Sequence, residues 1–241
     1  MRLSDFGVLT FDCYGTLIDW ESGIAAGLAP LAVAAGGKLG REELLALFAA
    51  YEPPQEAATP HLKYSDLLTI VYKRIAEHLD VPAPLDECAR FGLSVGDWPA
   101  FPDSAGALAY LKQHYRLVIL SNVDNRSFAA SNKKLGLTFD AIYTAEEIGG
   151  YKPSPRNFDY MLSNLERRGI AKAKILHTAQ SLYHDHVPAN AQGLASAWID
   201  RRGDKAGGGA TKPVAVMPRL DFKFPSMAAL VDAHRRELAV A

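Results

Sequence analysis

The chain has 241 residues, enough to bury a full core as one domain or as a domain carrying an insert. It is 49% hydrophobic and 22% charged with a formal net charge of -1, so bulk electrostatic binding to nucleic acid or an anionic membrane surface is not expected. Cys13 and Cys88 make no disulfide framework, no apolar run reaches the roughly 18 residues of a bilayer span, and Asp5 and Asp12 come too early for a secretory signal; a cytoplasmic protein is the expectation.

The first element is a short apolar run, Gly7 to Phe11, which reads as a buried strand. It stops at Asp12, and Gly15 and Thr16 then supply a sharp turn and a hydroxyl. From Ser22 to Ala35 the composition is helical, ending at Gly36-Gly37. A second helix is predicted over Arg41 to Tyr51, after which Pro53-Pro54 should break it. A third covers about Ser65 to Leu79, and a short one surrounds Asp86 to Leu93. Between about 19 and 98 the pattern therefore predicts helices and no strand.

From Phe101 the pattern alternates. Asp103 is expected to cap a helix reaching His114. Strands are predicted at Arg116 to Ser121, Ala141 to Thr144, Lys174 to Ala179 and Ala195 to Ile199. Helices are expected over about Arg126 to Leu135, Arg156 to Arg168 behind Pro155, Ala189 to Leu194 and Ser226 to Leu238, and Gly207-Gly208-Gly209 is expected to be a surface loop. Strands alternating with helices predict a parallel sheet covered on both faces: an α/β fold with a Rossmann-like core. The expected division is a catalytic core at 1-18 and 99-241, with an inserted all-α cap domain at 19-98.

Unusual polar residues fall at the ends of these strands. Asp12 follows the first, Ser121-Asn122 ends the second, Lys152 lies in the Gly-Gly-Tyr-Lys-Pro loop beyond the third, and His184-Asp185 comes soon after Ala179. In a parallel sheet the carboxyl ends point one way, so these positions should converge in one crevice. Asp12 alone is equally readable as a turn or capping aspartate, Lys152 as a solvated loop lysine and Ser121-Asn122 as a helix cap; their convergence favours a catalytic inventory. His184-Asp185-His186 is not expected to hold a metal, because adjacent positions at a helix start point in different directions. Cys13, next to Asp12, is read as a small packing residue.

The order Asp12-x-Tyr14-Gly15-Thr16, Ser121-Asn122, Lys152-Pro153, then Asp185 before a helix resembles the haloacid dehalogenase superfamily, and the helical stretch after the first motif is similar to that superfamily's cap. The resemblance implies Asp12 as nucleophile in a site between core and cap. Phosphatases of the superfamily usually carry a second aspartate two positions on, where this chain has Tyr14; Asp-x-Tyr-Gly-Thr resembles the L-2-haloacid dehalogenase branch, in which no metal is required. Halide needs no protonation to leave. The resemblance thus implies an ester of Asp12 with a short 2-haloalkanoate, Lys152 keeping Asp12 ionised, Ser121 and Asn122 with Tyr14 and Ser181 lining the substrate pocket, and His184 with Asp185 acting on the hydrolytic water.

Two other readings remain at this stage. One is a Mg2+-dependent phosphatase with the ion at Asp12 and Asp185, although Gln180 replaces a phosphatase acid there. The other is a non-catalytic binding protein on the same fold. The branch's dehalogenases also carry a cap arginine that receives the halide. The corresponding stretch, Tyr51 to Tyr64, has only His61 and Lys63 as cations, while Tyr51, Tyr64 and Trp98 are expected to line an apolar seam. The expected partner is a small 2-haloacid, with a homodimer suggested by the family.

Overall fold

The computed structural model describes residues 1–205 and 207–240. The strands are β1 (Val8–Phe11), β2 (Arg116–Ser121), β3 (Ala141–Thr144), β4 (Ile175–Ala179), β5 (Ala195–Ile199) and β6 (Phe222–Phe224). They form one six-stranded sheet in the order β3-β2-β1-β4-β5-β6, every neighbouring pair parallel. β1, β2 and β4 are apolar and buried almost throughout, as strands covered on both faces must be. The short β6, too brief to announce itself by alternation, was not expected from the sequence.

Alternate residues feed two packing layers. Val8, Val118 and Leu120 meet Phe158, Met161 and Leu165 of α8 (Pro155–Arg167) on one face. Leu9, Phe11, Leu117 and Ile119 meet, on the other face, a cluster that includes Leu108 and Leu111 of α5 (Ser104–Leu111) and Leu230 of α10 (Met227–Ala239). Ser226 caps α10 through the amide of Ala229, as its position implied. Asp103 precedes α5 but does not cap it. Its carboxylate instead takes the partly buried Arg201 guanidinium at 2.8 and 3.0 Å and the amide of Ala228 in the first turn of α10.

Between β1 and α5 the described chain has helical elements and no named strand: α1 (Trp20–Ala34), α2 (Arg41–Ala58), α3 (Tyr64–His78), α4 (Leu85–Leu93) and a single 3-10 turn. The chain leaves the sheet and returns to it along paired backbones, Asp19 N–H donating to Pro99 O and Phe101 N–H to Leu17 O. α2 overturns the expected break. It runs through Pro53 and Pro54 to Ala58, although proline leaves the carbonyls four residues back without an intrahelical donor and costs about 3 kcal/mol in a helix interior. Burial of the apolar Leu44, Leu45, Phe48 and Pro53 on that helix offsets the loss; tertiary packing, invisible to local propensity, decides the outcome.

Close approach of α1 to Trp98 depends on Gly23. A Cβ there would lie 2.2 Å from the Trp98 ring, which is fully buried. Gly23→Ala should therefore destabilise the protein by about 1–3 kcal/mol despite alanine's better helix propensity, measured as a lower midpoint in urea unfolding. α6 (Asn125–Leu135), α7 (Ala145–Ile148) and α9 (Val187–Ala191) complete the described helices, and none of the described helices is long and apolar enough to cross a membrane.

Candidate active site

Going from β1 to β3 the chain moves to one side of the sheet, and β4 then returns to the opposite side of β1. That reversal opens a crevice at the carboxyl ends, and the predicted residues meet there. Asp12 sits one residue past β1, in a turn made possible by Gly15 at φ +90, where a side chain would strike Trp20. Thr16 donates its hydroxyl to Asp12 Oδ2 at 2.8 Å and accepts the Gln180 amide at 2.9 Å, tying the β1 turn to the end of β4.

Lys152 is fully buried, 1% exposed. Its ammonium donates to Asp12 Oδ1 at 2.9 Å, Asp185 Oδ1 at 2.7 Å and Leu120 O at 2.9 Å, which uses all three of its protons. Its backbone is clamped by Asn122, whose amide accepts from Lys152 N–H and donates to Lys152 O. Asp185 Oδ1 also receives His177 Nε2 at 2.9 Å, and His177 Nδ1 faces Thr10 Oγ1 at 2.8 Å. A carboxylate only accepts, so His177 Nε2 donates to Asp185 Oδ1.

The charges balance unevenly. Burial alone would drive both acids up, yet Lys152 and then His177 hold Asp185 well below the usual carboxylate range. Asp12, with burial as the dominant influence and Asp185 as a like-charged neighbour, is raised despite Lys152. Burial would lower Lys152, but the two carboxylates overcome it and raise it. The triad thus has a firm Lys152–Asp185 pair and a more basic second carboxylate at Asp12. Thr16→Val removes a donor from that carboxylate and an acceptor from the Gln180 amide. We expect a stability loss of about 1–3 kcal/mol and a rise of the Asp12 titration, read from urea midpoints and from the acid limb of the pH–rate profile.

Asp12, Tyr14, Ser121, Asn122, Lys152, Ser181, His184 and Asp185 line one small cavity, of about 30 Å³, with Trp20, Glu52 and Tyr64. All the predicted site residues are therefore together. Ser121 Oγ and Asp185 Oδ2 are buried there without partners. Tyr14 turns its hydroxyl away, to Ser131 Oγ at 2.9 Å, with its ring edge-on to Trp98. Cys13 is buried in the core, and burial pushes its thiol up, as a packing residue requires. His184, Asp185 and His186 diverge as expected, His186 bonding Ala179 O while Asp185 faces Lys152. Of the expected seam aromatics, Tyr64 and Trp98 are buried, but Tyr51 turns its hydroxyl to His78.

The sequence reading missed the contribution of α2. Glu52 and Glu56, four residues apart on one helix face, are both buried; Tyr64 donates to Glu52 Oε1 and Asn122 to Glu56 Oε1, each at 2.9 Å. Burial, then the neighbouring Glu56, pushes Glu52 up to about 8, and burial raises Glu56 well above its ordinary value. The Glu-x-x-x-Glu spacing was the available signal, hidden by ending the helix at Pro53. His177 and Thr10 were also missed, being strand-interior residues with no motif of their own.

The family model for haloacid dehalogenase-like hydrolases matches residues 6–178 of this chain. The chain belongs to that family. The fold of this hydrolase is also that of several solved structures. L-2-haloacid dehalogenase from Xanthobacter autotrophicus with chloropropionic acid covalently bound superposes with a TM-score of 0.77 at 18% identity, covering 95% of this chain and 98% of that one. A defluorinating L-2-haloacid dehalogenase gives 0.76 at 22% identity, covering 98% and 99%. YfnB of Bacillus subtilis, bound to magnesium, gives 0.74 at 15%, covering 98% and 100%. No curated protein matches the hydrolase in sequence.

Proposed function

We propose that this hydrolase displaces halide from short 2-haloalkanoates through an ester on Asp12. The observation that carries the reading is Asp12 itself: a buried carboxylate at a strand end, ion-paired to Lys152, with Tyr14 two residues on where a leaving-group acid would stand. Asp12 forms a bond to C2 of the haloacid while the carbon–halogen bond breaks, the halide leaving with the electron pair. Water then attacks the ester carbonyl, and cleavage of the acyl carbon–oxygen bond releases a 2-hydroxy acid and restores the Asp12 carboxylate. The unpartnered hydroxyl of Ser121 is placed to donate to the substrate carboxylate, and Asp185 Oδ2 to accept from the water. His184 directs Nε2 toward Glu56 at 3.5 Å, which leaves Asp185 as the better-placed acceptor.

The cavity at Asp12 holds about one water, too little room for a haloacid, so substrate entry requires its walls to move. A larger cavity of about 470 Å³ adjoins it at Lys152 and is lined also by Glu56, His61 and Arg156; the Arg156 guanidinium offers a cationic approach for an anionic substrate.

One observation weighs against phosphoryl transfer. The acids that would face Mg2+ are Asp12 and Asp185, with Oδ1 of each held by Lys152 and Asp185 Oδ2 unpartnered, while Gln180 Oε1 accepts from Thr211. With Gln180 in place of an acid, that set gives weaker ligation to an ion that favours an array of anionic oxygens.

The test compares chloride release from (S)-2-chloropropionate with hydrolysis of p-nitrophenyl phosphate, each with and without Mg2+. Several turnovers in oxygen-18 water should also place label in the peptide containing Asp12. Mg2+-dependent phosphate release without chloride release would overturn the proposal.

A further inference from the structure

We propose that Glu52, Glu56 and His184 form a binding site for a transition-metal dication of the zinc class, placed between α2 and the segment after β4. One donor atom from each residue lies within 4.8 Å of the others, and this is the one such group of three found among the described residues. All three side chains are more than nine-tenths buried, and Glu52 Oε2 and His184 Nε2 have no hydrogen-bond partner.

The remaining atoms show how the donors are aimed. Tyr64 holds Glu52 Oε1 and Asn122 holds Glu56 Oε1, each by a 2.9 Å hydrogen bond. Ser181 Oγ lies 3.3 Å from His184 Nδ1 and also accepts the His184 backbone amide. Each residue is thus anchored through one polar atom and leaves the other turned inward, the pattern by which outer partners orient metal ligands. His184 Nε2 and Glu56 Oε2 are 3.5 Å apart. Two ligands about 2.1 Å from a tetrahedral ion lie roughly that far apart.

The donor set selects the ion. An imidazole nitrogen with two carboxylate oxygens suits Zn2+ and its first-row neighbours better than Mg2+ or Ca2+, which favour oxygen alone. Without a cation, two carboxyl groups and an imidazole are buried together with no cationic side chain bonded to either acid. A dication supplies the missing charge and joins α2 to the core. Three protein ligands leave a further coordination position toward the cavity at Asp12, where an anionic substrate group would sit. That last consequence rests on the dehalogenase reading; the binding itself does not.

The experiment is calorimetric titration of chelator-stripped protein with ZnCl2, beside thermal melts with and without the metal. One equivalent should bind with micromolar or tighter affinity and raise the melting temperature. Glu52→Gln, Glu56→Gln and His184→Ala should each weaken binding at least tenfold, whereas Asp12→Asn should bind as tightly as wild type. A crystal of wild type soaked with zinc should show one anomalous peak among the three side chains, a readout independent of whether any variant folds. The absence of stoichiometric binding, undiminished affinity in folded Glu52→Gln and Glu56→Gln variants, or a peak at Asp12 and Asp185 instead would overturn the proposal. Because neither readout measures turnover, a failure of halide release would leave this result standing, and the reverse.

Discussion

Asp12→Asn should abolish halide release, lowering kcat by on the order of 10^4-fold or more, while leaving the fold intact. The amide keeps the shape of the carboxylate; its oxygen can accept from Lys152, while its NH2 faces the Thr16 hydroxyl, which can turn to accept. Lys152 retains its shorter ion pair to Asp185 at 2.7 Å, so no buried charge is stranded. What disappears is the negative oxygen that must bond to carbon. Chloride release measured beside urea unfolding separates the two effects. A variant that still released chloride at a tenth of the wild-type rate would eliminate the covalent route, and mass spectrometry of the Asp12 peptide would then show no ester in wild type either. The same chemistry sets the acid limb of the wild-type profile. Because burial raises Asp12, activity should fall on acidification at a higher pH than for an ordinary aspartate, since only the ionised form attacks.

What could be read from the sequence followed the range of each interaction. The strands at Arg116 to Ser121, Ala141 to Thr144 and Ala195 to Ile199 were bounded correctly because a buried parallel strand is a continuous apolar run between turn signals. The convergence of Asp12, Ser121, Lys152 and Asp185 followed from strand polarity alone, once the elements alternated. The failures lie where a distant partner outweighed a local preference. Pro53-Pro54 is a strong local breaker, yet packing carries α2 past it and delivers Glu52 and Glu56 to the site. Asp103 has every local mark of a cap, and Arg201, 98 residues away, takes it. Between Tyr51 and Tyr64 the chain has no arginine, and Glu52 and Glu56, on one face of α2, carry no local mark of burial because the contacts that enclose them, Tyr64 and Asn122, lie 12 and 66 residues away.

Lys152→Met should have the largest effect on stability, about 3–5 kcal/mol, because it removes one ammonium from between two carboxylates that stay buried. The methionine fills a similar volume, so the loss measures charge rather than a cavity. Its signature is the sign of the pH dependence. In wild type, Asp185 is held below its unfolded value, so the stability it contributes is present above about pH 4 and is lost as pH falls further. Without Lys152, burial and mutual repulsion raise the pair instead. The folded state then binds protons more tightly than the unfolded one, and stability is greatest below about pH 4 and declines as pH rises through the raised values. Urea unfolding at pH 5 and pH 8 distinguishes these cases: the gap between variant and wild type should widen toward pH 8. A gap that stayed constant, or narrowed, would mean that Lys152 contributes through packing and its bond to Leu120 O rather than as the shared counter-charge of Asp12 and Asp185.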